Sequence, residues 1–164
     1  MEILVGKRSH VEAITEIFNH YILTSNARFE EEIFTYKNRL EWFLQFNHDT
    51  RHQIYVAQTH NEVLGFACSQ PYRPSMAFSE TVEVTIYLRE NAKGAGIGTA
   101  LYTRLFSALS TQRVHRALCG IASPNDASVN FHRRFGFSEV GVFNEYAKKR
   151  GEYISAIWLE KMFI

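Results

Sequence analysis

The chain has 164 residues, with 18 Lys and Arg against 17 Asp and Glu and a formal net charge of +1 at pH 7. That balance excludes a global field for nucleic acid or an anionic membrane, and no run of basic residues is dense enough to act as a binding arm. Hydrophobic residues make up 46% and aromatics 14%, which excludes disorder and supplies one well-buried core, so a single domain over residues 1–164 is expected.

The opening MEILVGKRSH is too short and polar for a secretory signal, and no apolar run is long enough to span a bilayer. A cytoplasmic protein is expected. EILVGKR reads as a first short strand bounded by Gly6. Ser9, with Glu12 three residues on, forms a capping-box pattern ahead of Val11, Ile14, Ile17, Phe18 and Ile22, the apolar face of an amphipathic helix. TSNARFEEEIF has no clean period, and TYKNRLEWFLQF resumes helical spacing behind a candidate cap at Thr35. QIYVAQT, EVLGFACSQ and ETVEVTIYLRE are β-rich runs, the first two joined by a polar turn at His60 and Asn61, and they predict an antiparallel meander. Cys68 lies in this meander and Cys119 in a later strand, without CxxC or metal-ligand spacing, so buried reduced thiols and no metal are expected.

KGAGIGTALYTRLF follows the third run directly. Gly94, Gly96 and Gly98 allow positive φ and close approach of a ligand to the backbone. Ile97, Leu101, Leu105 and Leu109 give the next segment a helical stripe. A helix start presents unpaired N–H groups and a positive dipole end, so a glycine loop leading into one is an anion seat, most often for phosphate. Gly98 is followed by Thr99 and Ala100, so neither the Rossmann nor the Walker pattern fits. From the glycines alone, a tight turn without a ligand stays an open alternative. RALCGIA reads as a fifth strand, PNDASVNFHRRF as a short helix closed by Gly136, and EVGVFNEYA with YISAIWLEKMF as a final pair of strands. The order β-αα-βββ-α-β-α-ββ is a mixed α/β sheet with the glycine loop at the carboxyl end of a central strand, where open sheets place ligands.

Three separated stretches resemble one family. VEVTIYLRENAKGAGIGTALY resembles the acetyl-CoA-binding motif of the GNAT N-acetyltransferases, and ASPNDASVNFHRRFGF resembles the block that follows it. More narrowly, TVEVTIYL, SPNDASVNFHRRFGF and KRGEYISAIWLEKM are similar to the phosphinothricin acetyltransferase branch, which acetylates the amino group of small amino acids and their analogues. The resemblance implies a GNAT-like, mostly antiparallel central sheet flanked by helices, with acetyl-CoA as co-substrate. The family's phosphate loop reads Gln/Arg-x-x-Gly-x-Gly/Ala, and Lys93, Gly96 and Gly98 stand at those places. Lys93 keeps the charge but lacks the planar fork, so a point-charge contact is expected. The resemblance places the pyrophosphate on the N–H groups from Ala95 to Thr99, beside Gly94, and the pantetheine along the strand Thr85 to Leu88.

The chemistry needs a neutral amine, a held thioester, oxyanion stabilisation and a proton for the thiolate. Glu83 alternates away from Val82, Val84 and Ile86 and stands where the family carries a Glu implicated as base through a water. Backbone N–H groups at Ile86, Tyr87 and Leu88 are the candidate carbonyl polarisers. His132 stands where the superfamily commonly has a Tyr and this branch a His, so it is the candidate acid. The resemblance makes Asn125 both helix cap and coenzyme contact, and Ser128 a residue near the cofactor. Arg73 is the expected clamp for an acceptor carboxylate, with Phe29 and Glu30 as walls of the acceptor pocket. Ser75, Phe78, Ala147 and Ser155 depart from the branch's usual residues and bear on the acceptor. A small-molecule amine and a homodimer through Phe143, Tyr146 and Tyr153 are the expected partners. The alternatives are another amine, such as a protein N-terminus or polyamine, and a non-catalytic acetyl-CoA-binding module.

Overall fold

Among the residues described by the computed structural model, 1–60 and 62–164, seven runs rich in β-branched and aromatic residues pair into one sheet. They are β1 (Glu2–Val5), β2 (Ile54–Thr59), β3 (Glu62–Pro71), β4 (Thr81–Leu88), β5 (Arg116–Ala122), β6 (Ser138–Lys149) and β7 (Glu152–Met162), ordered in space β1-β2-β3-β4-β5-β7-β6. Helices α1 (Val11–Thr24), α2 (Tyr36–Phe43), α3 (Ile97–Leu109) and α4 (Asp126–Arg134) complete the predicted order β-αα-βββ-α-β-α-ββ. Neighbouring strands are antiparallel, except that β4 and β5 run parallel. A parallel pair needs a crossover, and α3 supplies it.

Side-chain alternation divides the sheet into two faces. Ile14, Ile17 and Phe18 of α1 pack on one of them with Ile54, Val56, Phe66 and Cys68. Leu101, Leu105 and Leu109 of α3 pack on the other with Val82, Val84, Ala117 and Cys119. Tyr87 packs against the α1 cluster, so Glu83 and Thr85, on the same side of β4, face that way too. Both cysteines are free and buried.

The termini of the helices follow local chemistry, with one correction. Ser9 does not cap α1, because a 3-10 turn over Arg8–His10 precedes the helix. His10 stands at the N-cap of α1 without a side-chain cap, and its ring Nδ1 instead closes the preceding turn by accepting from the Lys7 N–H at 3.0 Å. Thr35 caps α2 as expected, accepting from Asn38 N–H, and Asn125 caps α4, accepting from Ser128 N–H. Gly136, at φ 84, closes α4. Arg150 and Gly151, at φ 50 and 83, make the tight turn between β6 and β7. Of the turn expected at His60 and Asn61, Asn61 lies outside the described residues. No helix among the described residues is long and apolar enough to cross a membrane.

Leu105 is fully buried between α3 and the sheet. Leu105→Ala is expected to cost about 2–5 kcal/mol of unfolding free energy, measured by urea denaturation.

Candidate active site

β4 and β5 pair over three positions only, Thr81↔Arg116, Val82↔Ala117 and Glu83↔Leu118. β4 stays bonded to β3 as far as Leu88, and β5 to β7 as far as Ala122. Beyond Glu83 the two strands therefore part. The gap opens into a cleft of ≈ 410 Å³ lined by Val84 to Leu88, Cys119 to Ala122 and residues of the glycine loop and α4.

The glycine loop reaches one end of this cleft. Gly94 and Gly96 hold φ of 80 and 77, and a Cβ on either would meet nothing within 4 Å, so conformation rather than space calls for glycine. A Cβ on Gly98 would lie 3.4 Å from the Phe131 ring and 3.5 Å from Ile86, so there α3, α4 and β4 meet closely. Ala100 N–H is bonded to Gly96 O at 3.1 Å, the first turn of α3. The N–H groups of Ile97, Gly98 and Thr99 have no carbonyl one turn behind them in the helix and give its start a positive end. That arrangement fits a phosphate, and the parted strand edges fit an amide-bearing chain. Lys93 lines the cleft, with its ammonium 2.6 Å from Glu90 and 5.3 Å from the Tyr21 ring centre.

Glu83 is the last β4 residue paired with β5, half-buried, with Gln70 opposite it on β3. Burial pushes its carboxyl above the usual range, and the Arg28 guanidinium works in the opposite direction. Arg28 donates from Nε to Glu30 at 3.0 Å and lies over the Phe18 ring at 5.1 Å. Arg39, 9% exposed, lies 3.7 Å from the centre of Phe34, and burial with the like charge of Arg28 pulls its pKa to about 10. Sequence patterning singles out neither arginine.

His132 lines the cleft yet is only 3% exposed. Its Nδ1 lies 2.8 Å from Ser128 O, and its Nε2 2.8 Å from the Tyr102 hydroxyl. A carbonyl only accepts, so Nδ1 carries the hydrogen and Nε2 accepts from Tyr102. Burial lowers the ring's pKa and keeps it neutral. Asn125 and Ser128 also line the cleft. The predicted acceptor residues lie elsewhere. Phe29 stands edge-on to Tyr146 at 6.0 Å, Glu30 is held by Arg28, and exposed Arg73 lies 5.2 Å from the Tyr72 ring centre on the β3–β4 connection. Tyr21, Ala27, Gly120 and Arg134 also line it without having been expected. Only Tyr21 left a signal, because it continues the stripe of Ile14, Ile17 and Phe18.

A model of the acetyltransferase (GNAT) family matches residues 14–137. The phosphinothricin N-acetyltransferase of Streptomyces coelicolor is 38% identical over 98% of this chain and 95% of its own. The L-methionine sulfoximine/L-methionine sulfone acetyltransferase of Pseudomonas aeruginosa is 32% identical over 90% of this chain and 86% of its own. An acetyltransferase from Salmonella typhimurium, solved with its cofactor acetyl-CoA, superposes with a TM-score of 0.94 at 26% identity, covering 100% of this chain and 94% of that one. The chain thus belongs to the GNAT acetyltransferase family and is an N-acetyltransferase. Within that family it is similar to the phosphinothricin acetyltransferase branch.

Gly96→Val forces a β-branched residue into a left-handed conformation at the mouth of the helix. It is expected to weaken coenzyme A binding about tenfold or more in isothermal titration, with the circular dichroism spectrum unchanged.

Proposed function

We propose that this N-acetyltransferase transfers the acetyl group of acetyl-CoA directly to the amino group of a small amino acid analogue of the phosphinothricin, methionine sulfoximine or methionine sulfone type. One observation carries the reading: a half-buried carboxylate, Glu83, stands where β4 and β5 part, beside a cleft whose far end is a glycine loop and a helix start. The names of the most similar enzymes support the acceptor class.

In this reading the N–H groups from Ala95 to Thr99 hold the pyrophosphate, with Gly94, Gly96 and Gly98 giving it access to the backbone. Lys93 adds a point charge on leaving Glu90. The open edge of β4 from Thr85 to Leu88 hydrogen-bonds the pantetheine, and Asn125 and Ser128 flank it from α4. Bound acetyl-CoA supplies an activated thioester. Glu83 takes, through a water, the proton that the acceptor ammonium must lose, and its raised pKa suits that task near neutral pH. The N–H groups at Ile86, Tyr87 and Leu88 polarise the thioester carbonyl as the amine attacks. The carbon–sulfur bond then breaks, and the sulfur takes, through water in the cleft, the proton that the attacking nitrogen sheds as the amide forms. The expected acid, His132, is corrected on this point, because the neutral ring's one hydrogen is held by the Ser128 carbonyl and its Nε2 accepts from Tyr102. In this reading Phe29 and Glu30 wall the acceptor pocket and Arg73 clamps the acceptor carboxylate.

The protein works as a homodimer in this reading. Phe143, Tyr146 and Tyr153 on the β6–β7 hairpin are 57%, 46% and 64% exposed, an apolar surface of the kind that marks an interface. Sedimentation is expected to give twice the 19.0 kDa chain mass, and Phe143→Asp to shift it towards one chain.

Release of coenzyme A thiol from acetyl-CoA is the decisive assay, run with phosphinothricin, methionine sulfoximine, methionine sulfone, spermidine and a short peptide. Turnover is expected on the first three, with Glu83→Gln slower by about two to four orders of magnitude. A base must be deprotonated, so kcat/KM should fall as pH drops through a pKa above the ordinary carboxyl value, and that limb should vanish in Glu83→Gln. Turnover on spermidine or the peptide alone would overturn the acceptor. Silence across the panel with coenzyme A still bound would favour a binding module.

A further inference from the structure

Lys149 closes β6 at 2% exposure, with no acidic partner within ion-pair distance among the described residues. A buried ammonium without a counter-charge is costly unless each of its hydrogens is bonded. Here all three are. The ammonium donates to Ile22 O at 2.8 Å, Ser25 O at 2.7 Å and Arg28 O at 2.8 Å. Ile22 and Ser25 belong to the C-terminal end of α1, where carbonyls lack helical partners and the dipole end is negative, so a cation is favoured there. Arg150 reinforces the grip from outside, its guanidinium donating to Leu23 O and Ile22 O at 3.2 Å and its N–H to the Glu31 carboxylate. The β6–β7 turn thereby clamps residues 22–31 from 119 to 128 positions away in the chain.

The clamped loop carries groups that face the cleft and Glu83. Ala27 lines the cleft, and its carbonyl accepts from the Tyr87 hydroxyl at 2.9 Å. Arg28 is the charge that opposes the effect of burial on Glu83. We infer that Lys149 is a positioning residue for the acceptor side of the site, setting through the Ile22, Ser25 and Arg28 carbonyls where the 25–31 loop stands against Glu83 and Tyr87. The inference rests on the proposed role of Glu83 as base.

Lys149→Gln offers two N–H groups where three are used, and Lys149→Arg keeps the charge with more donors. In Lys149→Gln, kcat/KM for the acceptor is expected to fall about tenfold to a hundredfold, mainly through KM. Its acid limb should move to higher pH, because Arg28 is no longer held where it lowers the Glu83 carboxyl. Coenzyme A affinity should change less than about twofold, and Lys149→Arg should recover part of the loss. A lower melting temperature with acceptor KM and acid limb unchanged would overturn the inference. Should Lys149→Gln not fold, exposed Arg150→Ala decides by the same limb: a shift to higher pH supports the inference and an unchanged limb overturns it. If wild-type protein acetylates no member of the panel, the acceptor reading fails on its own. Amide hydrogen exchange over residues 25–31 then judges Lys149, with faster exchange in Lys149→Gln supporting its role and unaltered exchange overturning it.

Discussion

The parallel ladder between β4 and β5 stops after Glu83↔Leu118, and the site is organised around that stop. Backbone N–H and C=O groups need partners wherever water is scarce. Up to Glu83 the neighbouring strand supplies them; from Val84 and Cys119 onwards the two facing edges are open to whatever enters the cleft. The crossover that makes β5 parallel to β4 also brings the N-terminus of α3 to the same place. One piece of connectivity therefore sets a hydrogen-bonding edge, an anion seat and a carboxylate side by side.

Burial and charge meet at the other face of the sheet. Phe18 is the hub there, with Phe34, Trp42, Phe66 and Tyr87 rings around it at 5.0 to 5.8 Å. Arg28 and Arg39 lay their guanidinium groups against the same aromatic cluster, a contact that tolerates a desolvated cation. Glu30 balances one of the two charges. Of the two arginines, Arg28 acts on Glu83 and keeps its carboxyl from being driven as high as burial alone would take it.

How much of this was legible depended on the distance over which each signal acts. The alternation of Val82, Glu83 and Val84 and the four-residue stripe of α3 are local patterns, and strand and helix follow them closely. The motif from Val82 to Gly98 was readable for the same reason, since cleft edge and glycine loop are contiguous in the chain. The Ser9 cap failed because Ser9 lies inside a 3-10 turn, held by the His10 ring on the Lys7 N–H, and the helix starts one residue later than the pattern implies. His132 was picked out by its place in the motif, but its burial and its bond to the Tyr102 hydroxyl, thirty residues away, leave no local trace. Lys149 was visible only as part of a pattern, because its partners lie at the opposite end of the chain. Arg28 sits in a stretch without periodicity, where sequence says little about what a side chain touches.

Cys119 stands in the wall of the cleft, 3% exposed, on the face away from α1. Burial, with the Glu83 carboxylate adding to it, pushes its thiol up to about 12. Disulfide exchange proceeds through the thiolate, so this sulfur is kept chemically silent at neutral pH. In the reading proposed above, each turnover frees a thiol into the same cleft. An enzyme whose own wall sulfur were reactive would be capped by its product under oxidising conditions; here the environment that raises the base also protects the cleft from a mixed disulfide.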